Sequence, residues 1–425
     1  MRVRDLLFAE GLGAYWYDDQ AAIRAGARQE GFRYEGTPLT PGFRTIRGPA
    51  RALSIGLQLE DGFVAWGDAM TVQYAGAGGR EPPFDPAAAR DFVERELAPR
   101  LRGSEVGSFR EAPVAPPAAG GQGSPAVPRA LQYGLSQATL AAVAHARRVT
   151  RAEVICEEWR LPVVAERVPL FAQSGDERHL NAEKMILKRV DVLPHGLINN
   201  REKFGRRGER FAEYAAWVAR RVREIGDVDY VPVLHFDLYG TAGVEFEGDV
   251  EAIGACLARI ESSLQPYRVR IETPFDFGSQ RAQIDGFLRL RAVLGRLGSR
   301  IELVADEWCD TLEDVRAFAR ERAAHLLQVK MPDMGSLADS VEAVLECQRQ
   351  GIGAYLGGSC AETDLSARAA AHVALATRPA MVLAKPGMGV DEGLAIVGNE
   401  MSRTVAELRA RSGQSQSGGF QTISA

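Results

Sequence analysis

Asp237, Glu272, Asp306 and Lys330 each close a short strand-like run: VPVLHFD, YRVRIE, IELVAD and LLQVK. Three of the four are hard oxygen donors, with no sulfur and no obligatory imidazole among them. Such a set suits Mg²⁺ or Mn²⁺ better than zinc. A divalent ion held this way acts as a Lewis acid on oxyanion charge developing on a substrate carboxylate. Lys330 ends an apolar strand after Leu326, Leu327 and Val329. It is either a base with a depressed pKa or the structural partner of an acid. Burial and a nearby divalent ion both favour the neutral amine that a base must be. Gln328, two residues earlier, points the same way along the strand, where it bonds a substrate carboxylate or packs. His195 sits in a Pro-His-Gly turn at a strand end, on the opposite side of the mouth from Lys330. His235 lies inside its strand and reads as a core residue or a support for the acids. His145, His179, His325 and His372 form no constellation.

These groups meet only if the strands converge. From about residue 165 the chain alternates strand and helix signals, which implies a parallel sheet. The strand candidates are VPLFAQ, EKMILKRVDVL, the four runs above, IGAYLGG and PAMVLAK. Helix signals between them include GERFAEYAAWVARRVREIG and DVEAIGACLARIESSL. Thr311 with Asp314 three residues on resembles a capping box. Seven or eight strands in this rhythm point to a (β/α) barrel, with the ionisable strand ends gathered at its C-terminal mouth. The first 160 residues read as a separate α+β domain, followed by a barrel over 161–411 and a disordered polar tail over 412–425. Residues 112–128, dense in Pro, Gly and Ala, read as a long surface loop. The helix signal that follows, ALQYGLSQATLAAVAHARR, is Ala/Leu-rich and expected to be well buried.

The 425 residues are 46% hydrophobic and 25% charged, with a net charge of -5. That is an ordinary globular composition. It gives no reason to expect nucleic acid or an anionic membrane as partner. No apolar run is long enough to span a bilayer and no cleavage pattern marks a leader, so the expected location is the cytoplasm. Five cysteines stand singly, so neither zinc nor a disulfide framework is expected. Cys360 has no base partner and reads as a packing or backbone residue. The glycines of YAGAGGR do not fit a dinucleotide fingerprint and are expected to form a capping loop over the mouth.

The segments FAQSGD, DVLPHGLINN, HFDLYGTAG, RIETPFD, LVADEWCDTLEDV, GAYLGGSCAET and VLAKPGMGVDEG resemble those of the methylaspartate ammonia-lyase family, in the enolase superfamily. YWYDDQAAIRAGA and VQYAGAGGR fit the same family, so the likeness runs nearly end to end. The resemblance implies a modified TIM barrel with an N-terminal α+β capping domain, Mg²⁺, K⁺ as monovalent activator, and a homodimer. It implies reversible elimination of ammonia from a small-molecule amino acid, (2S,3S)-3-methylaspartate, to give mesaconate, within glutamate degradation by the methylaspartate pathway. By position, Asp237, Glu272 and Asp306 match the metal ligands. Lys330 matches the base for the C3 proton, and His195 the base on the opposite face. Gln73, Gln173, Gln328, Ser359 and the Cys360 backbone match groups around the substrate carboxylates and amine. Phe171, Tyr355 and Leu383 match walls of the pocket. Ser359 stands where the family usually has threonine, which keeps the hydroxyl and loses a methyl contact. A racemase or acid-sugar dehydratase starts from the same proton abstraction, and a silent scaffold barrel is the reading from another class.

Overall fold

The structure is a computed structural model that describes residues 1–77, 80–111 and 126–413. Most of the 112–128 loop, and the tail beyond residue 413, lie outside the described residues. The N-terminal part is built on a three-stranded antiparallel sheet. Val3–Asp18 pairs with Arg47–Leu59, which pairs in turn with Val64–Ala69. The buried side chains of the central strand, such as Leu53, Ile55, Leu57 and Leu59, alternate along it. They form a core with Leu131, Leu135, Ala138 and Ala142 of the helix Arg129–Arg147. That helix is buried over most of its length, as its Ala/Leu composition predicts. Its approach to the sheet is close enough to demand glycine at position 67, where a Cβ would stand 2.0 Å from the Gly134 carbonyl oxygen. The next helix, Arg151–Trp159, starts at a reciprocal Thr150/Glu153 capping box.

The rest of the chain forms a closed barrel of eight parallel strands. In chain order they are Leu170–Ala172, Val192–His195, Val233–Asp237, Val269–Glu272, Glu302–Ala305, Leu326–Lys330, Gly353–Gly357 and Met381–Ala384. Helices follow the strands and cover them outside, so the strands are buried on both faces and read as continuous apolar runs. Phe171, Val192, Val304, Leu326, Tyr355, Met381 and Leu383 fill the barrel. The segment 183–189 corrects the sequence reading: residues 183–187 belong to the helix Arg178–Leu187, 188–189 are the turn that ends it, and the strand is only Val192–His195. Ala182, Met185 and Ile186 recur at helical spacing and are the buried face, while strong helix formers occupy the positions between. The helix Glu209–Ile225 buries Phe211, Tyr214, Ala215, Val218, Ala219 and Val222 and turns Arg220 and Arg223 outward. The outward side is thus a solvated basic face. Thr311 and Asp314 form the anticipated capping box. No helix among the described residues is long and apolar enough to cross a membrane.

Candidate active site

The barrel brings Asp237, Glu272 and Lys330 to the last positions of the third, fourth and sixth strands, and Asp306 to the residue after the fifth. His195 ends the second strand, four strands round the closed barrel from Lys330. The two therefore face each other across the mouth, as the sequence reading requires. A cavity between them is lined by Gln173, His195, Asp237, Asp306, Gln328, Lys330, Ser359 and Cys360. Val72, Gln73, Tyr74 and Arg80 close it from the N-terminal part. The capping loop therefore does reach the mouth, although Gly78 and Gly79 are not among the described residues. Phe171, Tyr355 and Leu383 lie in the apolar filling of the barrel rather than in the cavity lining.

The acids are buried and repel one another. Burial, then the charges of Asp237 and Asp306, push the Glu272 carboxyl well above its ordinary range. Burial likewise raises Asp237, with Asp306 adding to it against the nearby His195. Glu307, beside Asp306, is pushed up to about 7 by burial and by the Asp306 charge. Each carboxylate meets this with a polar neighbour. Asp237 Oδ2 is 3.4 Å from His195 Nε2. Glu272 accepts from Gln328 Nε2 at 2.7 Å and lies 2.6 Å from His235 Nε2. Burial and the Arg270 charge push His235 well below its ordinary range, and Nε2 is the ring nitrogen that faces the carboxyl. Asp306 Oδ1 holds Lys330 Nζ at 2.8 Å. Among the described residues no three His, Cys, Asp or Glu side chains are drawn together as a metal cluster. The donors nonetheless fit a hard divalent ion, being three buried oxygen ligands on neighbouring strands whose mutual repulsion such a charge relieves.

Lys330 is paired here with an acid, one of the two roles its sequence context allows. Burial alone lowers its amine, but Asp306, Glu307 and Asp333 outweigh that and raise it, so in this arrangement it is an ammonium. Gln328 donates to Glu272 while its own Oε1 has no partner among the described residues, which leaves a buried acceptor in a cavity wall. Ser359 Oγ accepts the Gln73 N–H at 3.1 Å, and Cys360 Sγ donates to Gln73 Oε1 at 3.1 Å. Burial drives the Cys360 thiol far up, which removes it as a nucleophile. His195 (φ 68°), Tyr239 (φ 49°), Thr273 (φ 42°) and Trp308 (φ 65°) adopt left-handed backbone at the strand ends or within a few residues of them. Strain of this kind collects at functional sites.

Arg80, Tyr74, Tyr239 and Glu307 line the cavity without having been singled out from the sequence. Tyr239 and Glu307 stand next to recognised acids in HFDLYG and ADEW, and that adjacency was the available signal. Arg80 bonds Asp333 at 2.9 Å and Asp310 at 3.1 Å, pairings more than 200 residues apart that no local pattern reveals.

A barrel with its acids at the strand ends, its mouth closed by the segment that follows an antiparallel N-terminal sheet, is the architecture of the enolase superfamily. The solved L-Ala-D/L-Glu epimerase of Bacillus subtilis shares that fold at a TM-score of 0.62 and 13% identity, covering 93% of this chain and 91% of that one. The chain belongs to the methylaspartate ammonia-lyase family: residues 1–160 match the model of its N-terminus and 162–410 that of its C-terminus. It is 49% identical over 416 residues to methylaspartate ammonia-lyase 2 of Carboxydothermus hydrogenoformans, across 97% of this chain and all of that one. The Citrobacter amalonaticus methylaspartate ammonia lyase structure containing (2S,3S)-3-methylaspartic acid superposes at a TM-score of 0.92 with 43% identity, covering 96% of this chain and 100% of that one. The Mg complex of β-methylaspartase from Clostridium tetanomorphum gives a TM-score of 0.91 at 42% identity, over 97% and 100% of the two chains. The protein is thus a carbon–nitrogen lyase of the ammonia-lyase class.

Proposed function

We propose that this enzyme removes ammonia from (2S,3S)-3-methylaspartate to give mesaconate, with Lys330 taking the C3 proton. The observation that carries the reading is the facing pair: Lys330 and His195 stand across one cavity whose walls also carry Asp237, Asp306 and Gln328. The Citrobacter relative, whose structure contains that amino acid, supports the choice of substrate. Asp237, Glu272 and Asp306 would hold Mg²⁺, which when bound supplies positive charge for the substrate carboxylate as it becomes dianionic.

The chain's own residues do the rest. The free Lys330 amine accepts the C3 proton, so the Asp306 contact that keeps it charged must loosen first. The electron pair left at C3 forms the C2=C3 bond, the C2–N bond breaks and nitrogen leaves as ammonia. Gln328, whose carbonyl oxygen lacks a partner, is placed to accept from the substrate amine, and Gln173 and Ser359 to hold its carboxylates. The neighbouring N-terminal segment around Gln73 excludes water, which strengthens each of these contacts. K⁺ activation, the homodimer and a role in glutamate degradation belong to the same reading and rest on the resemblance, and the 160/161 domain division rests on the change to a strand and helix rhythm near residue 165. The forward reaction is followed by the ultraviolet absorbance of mesaconate. Folded protein with Mg²⁺ should produce it from the (2S,3S) isomer, and a flat trace would sink the reading.

His195 carries a stereochemical expectation. With Nε2 on the Asp237 side and Nδ1 free of any partner among the described residues, it is the base for the opposite face of C3. His195→Ala should lower turnover of the (2S,3R) epimer by about 10²-fold or more. Loss on the (2S,3S) isomer should stay within roughly tenfold, since only positioning is disturbed. Equal losses on the two epimers contradict the division of labour.

A further inference from the structure

Outside the cavity lining, Glu362 and Lys385 form an ion pair with side chains 0% and 1% exposed. Lys385 Nζ reaches both carboxylate oxygens, at 3.0 and 2.8 Å, and donates to the Gly357 carbonyl at 3.1 Å. Glu362 Oε2 also accepts the Ser359 N–H at 2.8 Å, and Oε1 accepts the Tyr133 hydroxyl at 2.5 Å. The Glu362 carbonyl accepts the Ala14 N–H at 3.0 Å. The buried carboxylate thus ties Lys385 just past the eighth strand, the turn after the seventh strand and the helix that carries Tyr133, while the same residue's backbone carbonyl holds the first strand at Ala14. The fit is tight enough that a Cβ at Gly358 would stand 2.2 Å from both Glu362 Oε2 and Lys385 Nζ.

We propose that Glu362 and Lys385 are positioning residues that set the turn at 358–360 against Gln73 and thereby shape the cradle for a substrate carboxylate. The proposal rests on the reading above, in which Ser359 holds a substrate carboxylate, and on the resemblance that sets the Cys360 backbone and Gln73 beside it. Stability alone does not explain the pair, because apolar side chains of equal volume would serve as well or better. Those side chains could not bond the Ser359 N–H, and that bond fixes which way the turn faces. From there the order is passed on: Ser359 Oγ accepts the Gln73 N–H, Cys360 Sγ donates to Gln73 Oε1, and Gln73 Nε2 donates to Asp18 at 2.9 Å. Asp18 is itself locked by Arg47 at 2.6 Å. Barrel and N-terminal part are thereby registered where both line the cavity.

The test is steady-state kinetics of the full chain with Mg²⁺. Lys385→Met should raise KM for 3-methylaspartate about tenfold, one order in binding, while kcat changes by less than about threefold. Tyr133→Phe removes one donor and no charge, and should raise KM about two- to threefold in a fully folded protein. Glu362→Gln combined with Lys385→Met restores an uncharged pair and should bring KM back toward the parent value. A role in folding alone predicts lower apparent kcat at unchanged KM. That pattern, or unchanged KM in Tyr133→Phe should Lys385→Met fail to fold, overturns the proposal. If the unsubstituted protein forms no mesaconate, the proposed function fails and takes the cradle with it. An active parent with unchanged KM in the variants defeats the cradle alone.

Discussion

Lys330→Ala should lower turnover of (2S,3S)-3-methylaspartate by about 10³-fold or more, the upper part of the range for removing a general base. The loss should fall on kcat and kcat/KM alike, because the amine acts on the C3 proton only in the transition state. The fold should survive. The lysine side chain keeps 14% of its surface exposed to the cavity, so water can solvate the Asp306 carboxylate it leaves behind. Raising the protein's thermal midpoint with Mg²⁺ should remain possible in the variant, because the three carboxylates are untouched. Turnover within tenfold of the parent would remove the lysine from the mechanism. Loss of the Mg²⁺ effect together with activity would instead make Lys330 a structural partner of Asp306.

Glu272→Gln should separate stability from activity in the opposite way. The carboxyl is buried and repelled by Asp237 and Asp306, so its ionised form is costly in the metal-free protein. The amide removes that cost and can keep both hydrogen bonds. Its oxygen can accept from Gln328, and its NH₂ can donate to His235 Nε2 once that ring carries its proton on Nδ1, which has no partner among the described residues. The metal-free variant should therefore melt no lower than the metal-free parent. Activity should fall by about 10³-fold, the loss of several kcal/mol of charge stabilisation. The thermal shift produced by Mg²⁺ should shrink in step. A variant that is active and still stabilised by Mg²⁺ would exclude Glu272 as a ligand.

What the sequence made legible follows from how local each signal is. Asp237, Glu272, Asp306 and Lys330 could be read because each ends a run of apolar, β-rich residues, and the parallel barrel then brings such ends together. The strand and helix rhythm was misread where apolar residues stand side by side. At 183–189 a run with Met185, Ile186 and Leu187 side by side looks like a strand until the helical spacing back to Ala182 is counted. The charge state of Lys330 was not legible, because it depends on distances from Asp306, Glu307 and Asp333 that only the folded mouth defines. Arg80, and the Glu362–Lys385 pair with its Tyr133 donor, were hidden for a related reason. Their partners come from distant parts of the chain, and a buried charge is recognisable only once its neighbours are known. Phe171, Tyr355 and Leu383 were placed by resemblance, and the structure seats them in the barrel filling.

The central claim is that Lys330 exchanges a proton with C3 of the amino acid, and running the reaction backwards in D₂O tests it most directly. With mesaconate, ammonia and Mg²⁺, the unsubstituted protein should form (2S,3S)-3-methylaspartate carrying one deuterium at C3, delivered from a lysine amine that has equilibrated with solvent. His195→Ala should yield the same labelled isomer, and Lys330→Ala should form essentially none. Labelled (2S,3S) product at undiminished rate from Lys330→Ala, or no amino acid from the unsubstituted protein, would contradict the account.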